Sequence, residues 1–140
     1  MTYETNLTIP SQGEYLSQVR AWLIDPATRA HLSAEELGDV YLAVTEACAN
    51  IIEHAYGGRS DQMISLTATA RDDRLSVTIR DTGAQFDPSA VRRPDLGEPR
   101  EGGYGMYLMD TVMDSVDYDH SAVAGTRLTL VKTHRMHGDT

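Results

Sequence analysis

Apolar residues recur at helical spacing twice in the first half of this chain and mostly at a spacing of two in the second. Tyr3 to Ile9 alternates weakly and predicts an edge strand. Tyr15, Leu16, Val19, Trp22 and Leu23 then predict a helix that starts at Pro10-Ser11 and runs to about Ile24, where Asp25-Pro26 stops it. Ser33 followed by Glu36 is a capping-box signature: the serine oxygen satisfies a free N–H and the glutamate reaches back. From this cap a long helix extends to about Tyr56. Leu37, Val40, Tyr41, Val44, Cys48, Ile51, Ile52 and Ala55 form its apolar stripe, and Gly57-Gly58 ends it.

Two strands follow, about Met63 to Ala70 and Leu75 to Arg80, joined as a hairpin by Asp72-Asp73. Ala84 to Glu101 carries prolines and few large apolar residues, and predicts a mobile loop of the length seen in lids. A helix from about Gly105 to Ser115 and a last pair of strands, Val116 to His120 and Thr126 to Thr133 around Gly125, complete the chain, with a frayed tail from His134. Clustered hairpins predict an α+β fold: a mostly antiparallel sheet with helices on one face, in two layers.

Size and charge narrow the possibilities. The 140 residues form one domain, with no internal boundary or repeat. A net charge of −9 without a basic cluster makes nucleic acid and anionic membranes poor partners, and a basic surface on another protein a better one. The single cysteine, Cys48, lies on an apolar stripe and reads as an inert core thiol. No segment is long and apolar enough to span a bilayer, and Met1 to Asn6 lacks the order of a signal peptide, so a cytoplasmic location is expected.

Three short stretches carry candidate chemistry. Glu46 and Asn50 lie one helical turn apart, opposite the apolar stripe. Such a pair is either a solvated face or a carboxylate base beside an oxygen ligand for Mg²⁺. Ala43, Ala47 and Ala49 leave that side clear of bulk. His54, a turn later, reads as a helix-end histidine, and the absence of an HExxH or Cys/His cluster argues against zinc. Asp81 shares parity with Leu75, Val77 and Ile79, so it either faces the core, where it needs a donor such as an adenine amine, or turns outward to cap Thr82-Gly83. Thr126 has the parity of Leu128 and Leu130 and points the same way, and Gly83 would let the backbone pass close to a flat base. Gly102-Gly103-Tyr104-Gly105 precedes a helix, where free N–H groups suit phosphate, but it is not a Walker loop.

In this order the motifs resemble those of the bacterial anti-sigma-factor serine kinases, within the gyrase/Hsp90/histidine-kinase/MutL ATPase superfamily. Glu46 to Tyr56 is similar to the asparagine box, Asp81 to Asp87 to the adenine-reading box, and Glu101 to Asp114 to the glycine box and its helix. The resemblance spans nearly the whole chain. It implies a Bergerat-type ATP-binding fold with a lid, and a protein-serine/threonine kinase using ATP and Mg²⁺. Glu46 would be the general base, Asn50 the Mg²⁺ ligand and Asp81 the acceptor of the adenine amine, supported by Gly83 and Thr126. Gly102, Gly103, Tyr104, Gly105 and Met106 would cradle the phosphates. The implied partners are a sigma factor, an anti-anti-sigma protein of the STAS type and a second copy of the chain; Arg20 aligns with a partner-contacting arginine, or is simply solvated. Ile51 departs from the small residue common after the asparagine, and Arg92, Arg93 or Arg100 must supply lid charge. Two alternatives stand beside this reading. One is a nucleotide-gated binding module without kinase activity. The other is a switch kinase acting on a phosphatase-controlling partner.

Overall fold

A computed structural model of the chain describes residues 2–82, 104–119 and 125–135, with the backbone alone for 104–107. In chain order the elements are β1 (Thr2–Pro10), a 3₁₀ turn (Gly13–Tyr15), α1 (Leu16–Arg29), α2 (Ala34–Asn50), a π-helical turn (Ile51–Ala55), β2 (Met63–Arg71), β3 (Arg74–Asp81), α3 (Tyr104–Val112), β4 (Ser115–Asp119) and β5 (Thr126–Thr133). The five strands form one antiparallel sheet in the order β1-β2-β3-β5-β4. The loop expected over 84–101 lies outside the described residues.

Alternation along the strands builds two unlike faces. Ile64, Leu66, Ala68 and Ala70 of β2, Leu75, Val77 and Ile79 of β3, and Leu128 and Leu130 of β5 are all buried. Against them pack α1, over β1 and β2, and α2, over β3 and β5, with α3 beside α2. The opposite face is polar: Asn6, Thr67, Thr78, Arg80, Asp117 and Thr129 line an open groove across it. This is the α+β, two-layer arrangement that the clustered hairpins predict.

Local chemistry explains most boundaries. Ser33 and Glu36 form the full capping box, Glu36 N–H to Ser33 Oγ at 3.1 Å and Ser33 N–H to Glu36 Oε1 at 2.8 Å. The same Glu36 carboxylate lies 2.7 Å from His134 Nδ1 and accepts from the Arg135 N–H at 2.8 Å. The tail expected to fray from His134 is therefore held at its first two residues.

The first helix departs from expectation. It begins at Leu16 and runs through Pro26 to Arg29 instead of stopping near Ile24. A proline inside a helix costs about 3 kcal/mol. Here the apolar stripe continues past it, with Pro26, Ala27 and Ala30 buried below Val19 and Leu23, and packing outweighs the lost hydrogen bond. The chain turns out of the helix at His31, two residues past its end, which takes the left-handed φ of 62° while Leu32 N–H closes on Ala27 C=O at 3.0 Å. The second helix also differs: its α-helical part ends at Asn50, and the last turn before Tyr56 is π-helical, with Tyr56 N–H bonded to Ile51 C=O at 2.9 Å.

Candidate functional site

The buried face of α2 is Val40, Ala43, Val44, Ala47 and Cys48, continued by Ile51 of the π-helical turn. It includes two alanines that the sequence reading placed on the cleared side. Asn50 lies three residues after Ala47 and seven after Ala43, so it sits at the border of this face and not opposite it. The asparagine is half-buried, and its Nδ2 is fully enclosed without a hydrogen-bond partner among the described residues. Such a group is costly unless something satisfies it, and small widened turns like the one that follows often mark functional positions. Glu46, one turn earlier, is half-buried.

Across from α2, the end of β3 carries Asp81, only 7% exposed. It continues the inward face of Leu75, Val77 and Ile79, which resolves its orientation toward the core. Asp81 pairs in register with Thr126, the first residue of β5, which is 6% exposed. Asn50, Asp81, Thr126 and Tyr118 line a single cavity, whose remaining walls are Ala47, Ile51, Ala55, Ile79 and Leu128. The cavity thus joins oxygen and nitrogen groups from α2, β3, β4 and β5 to an apolar floor, the composition common in small-molecule sites. Glu46 is not among the lining residues.

Several contributors escape sequence reasoning. Tyr118 enters from β4, opposite Leu128; burial, and then the negative charge of Asp110, push its phenol well above the ordinary range. Its parity with Val116 was the available signal. Gly125, at φ +80°, passes against the backbone of Asp81 and Thr82, and the Gly-Thr pair at a strand start marks it. Tyr56, 4% exposed, places its hydroxyl between β2 and β3.

Other candidates fall elsewhere. His54 is exposed, 3.8 Å from Glu53, on the π-helical turn. Cys48 is fully buried, and burial pushes its thiol up to about 12. Arg20 is exposed on α1, with its guanidinium 5.2 Å from the centre of the Tyr41 ring. Tyr104, Gly105 and Met106 form the first turn of α3. Gly83, Gly102, Gly103, Arg92, Arg93 and Arg100 lie outside the described residues. Among the described residues there is no helix long and apolar enough to cross a membrane, and no group of three or more His, Cys, Asp or Glu side chains suited to a metal.

The chain matches the family model described as "Histidine kinase-like ATPase domain" over residues 9–132. It is 33% identical to serine-protein kinase RsbW of Bacillus subtilis over 96% of this chain and 89% of that protein. It is 36% identical to the RsbW of Listeria monocytogenes over 79% and 75%, respectively. The RsbU and RsbW domains of a Mycobacterium tuberculosis protein share the fold, with a TM-score of 0.65 at 18% identity over 94% of this chain and 32% of that one.

Proposed function

Since the chain belongs to the histidine kinase-like ATPase family, in its branch of anti-sigma-factor serine-protein kinases, we propose that it phosphorylates an anti-anti-sigma protein of the STAS type and, in a partner-switching cycle, sequesters a sigma factor. One observation carries the reading from the structure: Asn50 of α2 and Asp81 of β3 meet in one cavity, with an enclosed amide on one side and a nearly buried carboxylate on the other.

Each residue has a task in this reading. Asp81 accepts from the exocyclic 6-amine of adenine, where guanine presents a carbonyl oxygen instead of a donor. Thr126 supports that contact from the facing strand, and Gly83 lets the backbone run beside the base. Gly102, Gly103 and the first turn of α3, Tyr104 to Met106, offer free N–H groups to the phosphates.

The Asn50 side chain fits a hard cation, because its amide carries an oxygen donor and Mg²⁺ needs only one or two protein oxygens alongside phosphates and waters. Bound Mg²⁺ would neutralise phosphate charge. Glu46, a turn away on α2, accepts the proton of the partner's serine or threonine hydroxyl as that oxygen bonds to the γ-phosphorus and the bond to the bridging oxygen of ADP breaks.

Both protein partners belong to this proposal, as does a homodimer of the kinase. A sigma factor as partner places the chain in the cytoplasm. Arg20, exposed beside Tyr41 on the helical layer, is available as a partner contact. The test is Glu46→Gln, assayed with ATP and a STAS-type partner. Phosphate transfer should vanish while ATP still binds; full transfer in the variant would remove Glu46 from the mechanism.

A further inference from the structure

The tasks above leave Tyr56 unused, although it bonds both to the turn that follows Asn50 and to the residue that follows Asp81. Its ring is buried, and its hydroxyl makes two hydrogen bonds, donating to Met63 C=O at 2.7 Å and accepting from Thr82 N–H at 3.0 Å. These are not arbitrary partners. The pairing of β2 with β3 ends at Ser65 opposite Arg80. Continued by two residues, the same register would set Met63 opposite Thr82. The hydroxyl thus stands where the ladder would otherwise have gone on, between the two strands, at the residue directly after Asp81.

The other end of Tyr56 is tied to the asparagine side. Its N–H closes the π-helical turn on Ile51 C=O at 2.9 Å, and Asn50 immediately precedes that turn. One residue therefore links, through its backbone, the turn after Asn50 and, through its hydroxyl, the strand end that carries Asp81.

We propose that Tyr56 is a positioning residue: a phenol wedge that keeps the end of β3 parted from β2, and so holds the Asp81 carboxylate at the spacing from α2 that selects adenine. Without the hydroxyl, Met63 C=O and Thr82 N–H are free to pair directly, which draws the strand end toward β2 and moves Asp81 away from the base. This inference rests on the nucleotide reading of the cavity. A tyrosine that merely fills the core would affect all ligands alike.

The experiment uses the full chain, wild type and Tyr56→Phe, with ATP and GTP each displacing a fluorescent ATP analogue, and a thermal melt of each protein without nucleotide. Loss of one such hydrogen-bonded arrangement should weaken ATP about tenfold. GTP, which presents a carbonyl oxygen where adenine presents its 6-amine, should hardly change, so the preference for ATP narrows by a similar factor. Equal loss for both nucleotides, or no loss, overturns the proposal while the nucleotide reading survives. A wild-type chain that binds neither removes both. Amide exchange in the wild type supplies a check independent of the variant's folding. The Thr82 N–H should be protected in the free protein, and more so with ATP than with GTP; exchange at the rate of an open amide would overturn the wedge.

Discussion

Gly125 and Asp81 meet backbone to backbone. A Cβ built on Gly125 would overlap the Asp81 carbonyl oxygen and lie 2.7 Å from its carbon and 2.8 Å from Thr82 Cα. None of these atoms belongs to a flexible side-chain tip, so the strand start of β5 can approach β3 this closely only without a side chain. The φ of +80° adds a second penalty for any other residue. Gly125→Ala should therefore destabilise the fold by at least about 2 kcal/mol. It should also displace Thr126 from Asp81. Urea unfolding and ATP titration measure the two effects. A variant as stable as the parent that still binds ATP would mean the two strands can part without consequence.

Asp81→Asn keeps the size and changes the chemistry. An amide presents only one acceptor oxygen, without charge, and hydrogen bonds to charged groups are worth about 1.5–3 kcal/mol. ATP affinity should drop by about 10- to 150-fold. Calorimetry with unaltered ATP binding would take Asp81 out of base recognition.

Glu36 couples acid stability to the cap of α2. Burial alone would raise its carboxyl, but the contact with His134 and the hydrogen bonds from Ser33 and Arg135 outweigh burial and bring it down to about 2 from an ordinary 4.5. A group lowered on folding contributes stability in full above its unfolded value and loses it as pH falls toward the folded one. The contribution should thus be complete at neutral pH and fade between about 4.5 and about 2. Glu36→Gln should lower stability at pH 7 and flatten its fall across that window in urea titrations. A parallel pH dependence for both proteins would show that the pinned carboxylate does not govern acid unfolding.

Cys48 offers a probe of opening. Complete burial and a thiol raised to about 12 leave almost no thiolate at neutral pH. Modification by a thiol reagent should be negligible in the native protein and rapid in denaturant. Fast native labelling would require local opening of the α2 layer.

The sequence was most readable where a single local rule decided the outcome. The capping box at Ser33 and Glu36, the hairpin at Asp72-Asp73 and the limits of β5 follow from side-chain chemistry within a few residues. Reading failed where tertiary packing overrode a local signal. Pro26 breaks helices in isolation but is buried here in a continuing stripe. Ala43 and Ala47 look neutral in sequence, yet their burial turns the helix so that Asn50 faces the cavity. Thr126 could be assigned to the inward side by parity, while for Asp81 parity left both the core and a cap on Thr82-Gly83 open, and only its burial decides. That they sit opposite each other, beside Tyr118, depends on strand order, which no local pattern encodes.

The polar side of the sheet has a consequence for how the cleft and the rest of the molecule communicate. Chain alternation means that the strands presenting Asp81 and Thr126 inward present Arg80 and Arg127, paired in register one residue away, to the reverse. Arg127 is anchored there by Asp119. A shear or twist of β3 and β5 would carry these two guanidinium groups with it, since one peptide separates each from the inward-facing residue.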